Sequence, residues 1–180
     1  MAHQNPRTGM FTYMTPLMSG VAREYSSEEN DFWCCVLSGM ESHAKHGDSI
    51  YWENRDTLFV NLYIPSMVTW RHAAATLEMT TRYPFEGDID IKVKRLAGQR
   101  YYTLALRMPA WASGHTLLVN GKPHAAATDK GYLLVRRRWR AGDTVRLTLP
   151  LELRLESAAG NEPVVELLRG KMVVAAELVE

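Results

Sequence analysis

From Asp48 onward the apolar residues recur at every second position, and no other feature limits the fold so sharply. In residues 57–64, Leu58, Val60, Leu62 and Ile64 fall on one face, with Phe59, Asn61 and Tyr63 on the other. In residues 88–94, Ile89, Ile91 and Val93 alternate with Asp88, Asp90, Lys92 and Lys94, an inward set and an outward set. Further strands are expected over 50–53, 67–71, 75–82, 101–108, 116–119, 132–138, 144–149, 164–168 and 172–178. Turns punctuate them at Asn54-Arg55-Asp56, Asn120-Gly121 and Ala141-Gly142-Asp143. Short strands at regular spacing with tight turns predict an antiparallel β-sandwich, so the fold class is mainly β.

Upstream of Asp48 the pattern differs. Residues 1–25 scatter Pro, Gly and Thr among aromatics and methionines. Residues 11–17 read as a short extended piece ended by Pro16, and Ser19-Gly20 as a turn. Ser26 and Glu29 stand at capping-box spacing, and Asn30 or Asp31 offers a second helix start. Phe32, Cys35 or Val36, Met40, and His43 or Ala44 then recur at helical spacing. Gly47 follows Lys45 and His46, whose charges suit a helix C-terminus. One helix is predicted over about 31–46, with Gly39 permitting close packing. Two domains are expected, 1–48 and 49–180. The irregular apolar opening, and a last strand running to Glu180 without a closing turn, lead us to expect that the chain is part of something larger.

Composition leaves room for a core: 180 residues, 46% hydrophobic and 23% charged. A net charge of +1 gives no global electrostatic case for nucleic acid or an anionic membrane, and neither is expected as a partner. The basic run Arg136-Arg137-Arg138-Trp139-Arg140 reads as a solvated strand face and turn. No apolar run approaches the roughly 20 residues that span a bilayer.

The only two cysteines, Cys34 and Cys35, are adjacent. Neighbouring cysteines bridge only with strain, which leaves thiols or metal ligation. Taken alone they fit small buried hydrophobes, or a soft-metal site, as well as a catalytic pair. His43 and His46 share a helix face, but His43 lies about nine residues from Cys34, roughly 13 Å along a straight helix. They are not expected to complete a site with the cysteines. Trp52, Trp70, Trp111 and Trp139 read as core or interface residues.

Several stretches stand in order along the chain: Gly9-Met10-Phe11-Thr12-Tyr13 with Pro16-Leu17, Phe32-Trp33-Cys34-Cys35, and Gly39-Met40-Glu41-Ser42-His43. Asp48-Ser49-Ile50-Tyr51-Trp52, Asn61-Leu62-Tyr63-Ile64-Pro65-Ser66 and Arg107-Met108-Pro109-Ala110-Trp111 continue the set. Val119-Asn120-Gly121-Lys122 and Trp139-Arg140-Ala141-Gly142-Asp143 close it. Together they resemble glycoside hydrolase family 127 and its close relative family 146, the β-L-arabinofuranosidases and their kin. The ordered series with the paired cysteines is specific; single pieces such as Asn-Gly-Lys are not.

The resemblance implies a six-hairpin α/α barrel followed by a β-sandwich, of which residues 1–48 match the last piece of the barrel. It implies a retaining glycosidase acting on arabinose-containing glycans, with Cys34 as nucleophile, Cys34 and Cys35 as zinc ligands, and Tyr13 in a substrate-contacting region. The chemistry is coherent. An ordinary thiol is mostly protonated at neutral pH, and a metal or a helix N-terminus favours the thiolate. A thiolate can attack an anomeric carbon and later leave, splitting the displacement into two steps. The family's acid/base glutamate lies upstream, so that role does not pass to Glu41. Without it and without the other zinc ligands, the chain alone is expected to be inactive. Apolar surface normally covered by a barrel should then be open to self-association, with Phe11, Met14, Phe32, Trp33 and Val36 as candidates. The competing reading is a non-catalytic β-sandwich that binds carbohydrate or a protein partner.

Overall fold

The computed structural model describes residues 4–5, 7–13, 21–31, 33–112, 114–157 and 165–174, with the side chain of Cys35 left aside. The chain divides into two compact units, one reaching Ser49 and one beginning at Ile50.

The first unit holds the helix α1 (Cys34–Lys45), followed by a 3₁₀ turn at His46–Ser49. The helix starts later than the sequence pattern suggests, for a local reason. Asp31 sits at φ 63, outside helical space, and Trp33 is extended at φ −69, ψ 159. The capping-box reading of Ser26 and Glu29 is overturned. Ser26 is buried; its Oγ accepts the Phe11 N–H at 3.2 Å and its own N–H donates to the Phe11 carbonyl at 2.7 Å. Ser27 instead closes a local turn, its Oγ accepting the Asn30 N–H at 2.9 Å. Gly39 does permit close packing. A Cβ there would lie 2.6 Å from the Phe11 ring.

Phe11 and Val36 are buried, so neither offers the open apolar surface expected of them, and Trp33 is half-buried. Among the described residues of α1 the exposed large apolar side chains are Leu37 and Met40. Met14 and Phe32 lie outside the described residues.

The second unit is a sandwich of two sheets. Its strands are β1 (Tyr51–Glu53), β2 (Thr57–Val60), β3 (Ser66–Trp70), β4 (Ala75–Thr81), β5 (Asp88–Leu96), β6 (Arg100–Arg107) and β7 (Thr116–Val119). They continue with β8 (Lys122–Pro123), β9 (Ala127–Asp129), β10 (Tyr132–Trp139) and β11 (Thr144–Thr148). One sheet runs β1-β2-β6-β10-β9 and the other β3-β4-β5-β11-β7-β8. Side chains from both sheets merge in one core: Leu58, Val60, Leu104, Leu106, Leu133 and Val135 meet Leu77, Met79, Ile89, Ile91, Val145 and Leu147. At one end Tyr102 stands edge-on to Trp70, with centroids 5.0 Å apart, and stacks on Trp139 at 5.5 Å. Trp139 Nε1 donates to the Tyr102 carbonyl at 3.0 Å. Trp70 and Trp139 are therefore core, whereas Trp52 is 59% exposed and is not.

The sheets are antiparallel except where β2 lies parallel to β6, Leu58 beside Leu104. The chain leaves the first sheet after β2, builds β3, β4 and β5 in the second, and re-enters beside β2 in the same direction. The alternation expected through residue 64 also stops early. After Val60 the strand ends, and Asn61 and Tyr63 turn inward with 6% and 5% exposure.

A third sheet of β12 (Leu153–Ser157), β13 (Val165–Arg169) and β14 (Met172–Val173) follows the sandwich. β12 is a strand that the sequence reading did not include. Its register places Leu153, Leu155, Val165 and Leu167 on one sheet face, and all four are exposed. The expected last strand continues past Val174 only outside the described residues.

Candidate functional site

Two places in the chain bring chemically useful groups together. The first is the start of α1. Cys34 is its first residue and exposed, and Cys35 is its second. The N-cap residue Trp33 makes no side-chain capping bond, and no acidic residue stands in the first turn. Cys34 thus opens the end of the helix where the dipole favours negative charge, and of the first-turn amides Val36 N–H donates to the Trp33 carbonyl at 3.0 Å. Tyr13 is 52% exposed, and its ring stands edge-on to Trp33 with centroids 6.2 Å apart. The structure so brings Tyr13 beside the residue that precedes the cysteines.

The histidines gather elsewhere in this unit. His43 lies edge-on to Phe11 at 6.3 Å, its ring centroid is 5.7 Å from His46, and His46 Nε2 pairs with Ser42 Oγ at 3.3 Å. Glu41 is exposed on the helix. Among the described residues no three His, Cys, Asp or Glu side chains stand close enough to hold a metal ion. A tetrahedral zinc site needs four donors. The described donors of this chain do not make one.

The second place is a cleft of about 660 Å³ in the second unit, which the sequence reading missed. Asn61, Tyr63, Tyr83, Arg107, Trp111 and Arg154 line it, with Glu156 and Lys171 at its polar side. Two stretches singled out in the sequence, 61–66 and 107–111, converge here. The Tyr63 hydroxyl donates to the Arg107 carbonyl at 2.6 Å, and its ring meets Tyr83 edge-on at 5.8 Å. Burial holds the Tyr63 hydroxyl far above the ordinary tyrosine value of 10.0, Tyr83 adding to the effect and the Arg107 charge opposing it. Tyr83 is raised by burial too, again against Arg107.

Arg154 lies over the Trp111 ring at 6.0 Å and pairs with Glu156 at 2.7 Å. Asn61 Oδ1 accepts the Tyr132 hydroxyl at 2.6 Å, while its Nδ2 is buried with no partner. The signal that could have flagged the cleft is Asn61 itself, a polar residue directly after the buried pair Leu58 and Val60.

Comparison with known proteins defines the class. Residues 1–48 match the catalytic domain of GH127 β-L-arabinofuranosidases, and residues 57–151 match the middle domain of the same family. A non-reducing end β-L-arabinofuranosidase from Bifidobacterium longum subsp. longum is 31% identical over 116 residues, which are 58% of this chain and 17% of that protein. The crystal structure of a GH127 β-L-arabinofuranosidase from Geobacillus stearothermophilus T6 superposes with a TM-score of 0.71 at 30% identity, covering 78% of this chain and 23% of that one. A further GH127 β-arabinofuranosidase structure shares the fold, with a TM-score of 0.80 at 24% identity over 96% of this chain and 30% of that one. These are glycoside hydrolases. The chain belongs to family 127 among them, and it spans less than a third of the length of these relatives.

Proposed function

We propose that the chain carries the nucleophile-bearing end of a retaining β-L-arabinofuranosidase catalytic domain, residues 1–48, joined to a β-sandwich. The observation that carries this reading is the catalytic-domain match over residues 1–48 with Cys34 and Cys35 opening α1. In it, the Cys34 thiolate displaces the leaving-group oxygen at the anomeric carbon, breaking the C–O bond as the C–S bond forms, and water then displaces the sulfur to release the sugar and the thiolate. Tyr13 contacts the arabinofuranose. Zinc, ligated by Cys34, Cys35 and two donors that the described residues do not offer, would hold the thiolate form when bound. The substrate is an arabinose-containing glycan. The resemblance puts the acid/base glutamate that serves the leaving oxygen upstream of the matched segment, so the chain by itself is expected to be inactive.

The test is a transplant. Residues 31–49 replace the matching segment of an active family 127 enzyme, and an aryl β-L-arabinofuranoside is the substrate. Turnover should persist, and Cys34→Ser in the chimera should abolish it. Equal turnover by the chimera with and without Cys34→Ser would refute the nucleophile assignment. Turnover by the isolated chain that is lost on Cys34→Ser would refute its inactivity. We further infer that the isolated chain self-associates through the exposed apolar face of β12 and β13. Light scattering that reports a monomer at every concentration sinks that part.

A further inference from the structure

A sheet edge leaves alternate main-chain N–H and C=O groups unpaired, so folded chains shorten, charge or kink their edge strands. Three of the four edges of this sandwich follow that rule. β1 and β9 are three residues long and end in Glu53 and Asp129, and β8 is two residues, Lys122–Pro123. β3 does not follow it. It is five residues long, Ser66–Trp70, and carries neither charge nor proline. It pairs with β4 in unbroken register from Ser66↔Met79 to Trp70↔Ala75. Apart from β4, no described residue bonds to the main chain of residues 66–70. Met67 on this edge is 61% exposed.

The edge also opens onto a gap between the layers. β1 and β3 are edge strands of the two sheets, joined at one point by the Tyr51 and Ser66 hydroxyls, 3.0 Å apart. Beside them lies a cleft of about 360 Å³, lined by Tyr51, Trp52, Val68 and Trp70, with Glu53 and Arg71. Unpaired main-chain groups beside a largely apolar gap fit an extended polypeptide. Its backbone completes the ladder and its inward side chains meet the gap. A sugar or a small anion offers no repeating pair of N–H and C=O groups.

We propose that the occupant is β3 of a second copy of this chain, antiparallel and centred on Val68. The mate must be extended, uncharged and free of proline over five residues. Among the described edge strands only β3 itself meets those terms. The register is self-complementary: Val68 meets Val68, Met67 meets Thr69 and Ser66 meets Trp70, so no like charges are opposed. Ser66, Val68 and Trp70 keep to the inward side in both copies. The two six-stranded sheets become one continuous sheet, related by a two-fold axis through its middle. The contact uses neither the cysteine pair nor the apolar face of β12 and β13, and it stands whether or not the glycosidase reading does.

Hydrogen exchange on the whole chain, read by mass spectrometry at low and high protein concentration, tests the edge directly. Once about nine chains in ten are paired, the outward amides of β3 should exchange about tenfold more slowly. Association through the β12–β13 face buries side chains and leaves these amides unchanged. Met67→Lys with Thr69→Lys alters two exposed side chains and sets like charges opposite each other. It should abolish the protection with an unchanged melting curve. The proposal fails if exchange over residues 66–70 is independent of concentration, an outcome that needs no variant. It fails equally if the folded double variant is protected as the parent is. Slow exchange already present at the lowest concentration would mean that a segment of the same chain covers the edge, and would overturn the pairing of copies.

Discussion

Replacing Gly87 by Ala tests the packing that holds the cleft together. Gly87 sits just before β5, at the end of the loop that carries Tyr83, and its carbonyl accepts the Leu149 N–H at 2.9 Å. A Cβ at this position would collide with the Leu149 carbonyl oxygen. Leu149 leads into β12, which delivers Arg154 and Glu156. The obstruction is backbone, so no rotamer change relieves it; the two segments must separate by about an ångström. Overpacking of this kind costs about 1–3 kcal/mol. Loss of the hydrogen bond adds roughly 0.5–1.5 kcal/mol. We expect about 2–4 kcal/mol of destabilisation, a fall in melting temperature of roughly 4–16 °C for a chain this long. Urea unfolding followed by tryptophan emission is the assay, because Trp70 and Trp139 report on the sandwich core. A change below about 0.5 kcal/mol, the scatter of neutral surface substitutions, would refute the close approach.

Three other outcomes are expected. Gly39→Ala gains about 0.8–1 kcal/mol of helix propensity but drives the Phe11 ring from its place 2.6 Å away. The clash should win, so α1 amides should exchange faster with solvent; slower exchange would show that the ring turns aside freely. Stability should fall as pH rises past about 10. Tyr63 and Tyr102 titrate above their ordinary 10.0 in the folded chain because of burial, so above pH 10 the unfolded chain binds fewer protons and gains. The slope is up to about 1.4 kcal/mol per pH unit for each group, Tyr63→Phe should reduce it, and a flat profile to pH 12 contradicts the assignment. Elemental mass spectrometry of the tag-free chain, with thiol titration beside it, should find well under one zinc per chain and both thiols reactive. Near one zinc with Cys34 and Cys35 protected would mean that this chain or a second copy supplies the absent donors.

Where the local pattern and the tertiary demand agree, the sequence is readable. Ile89, Ile91 and Val93 alternate because β5 buries one face, and Asn120-Gly121 turns because both residues take positive φ, 52 and 73. Asn120 adds a function the dipeptide does not advertise: its side chain accepts the Thr144 N–H at 2.8 Å and donates to Asp143 at 2.9 Å. Where long-range pairing decides, the local signal misleads. Ser26 has the chemistry of a helix cap, but Phe11, 15 residues away, engages its Oγ and its backbone N–H. The parallel pairing of β2 with β6 depends on where the chain re-enters the sheet, which no window of alternation contains. β12 alternates as well as many strands, yet Leu153 and Leu155 face outward, so its pattern did not point to the core. At the cysteine pair the residues left three readings open, and it was the ordered set of motifs that pointed to a glycosidase.

Asn61 shows why a misfit in the pattern is informative. A buried donor without a partner costs about 1–3 kcal/mol, and native chains leave few of them. Nothing in the fold requires this one. Leu58 and Val60 already fill the core below it, and an apolar residue would pack against the same wall of Tyr63 and Trp111. The Asn61 amide is tied to the Tyr132 hydroxyl at 2.6 Å, a contact that can serve either amide atom and leaves the other unpaired. The unpaired amide atom is itself shut off from solvent, so its cost falls on the folded chain. The double variant Asn61→Leu with Tyr132→Phe removes donor and acceptor together, so no new orphan is created. It should be as stable as the parent or more so by about 1 kcal/mol in urea unfolding. A loss of more than about 2 kcal/mol would refute this and would mean that the Asn61–Tyr132 hydrogen bond outweighs the cost of the unpaired amide atom.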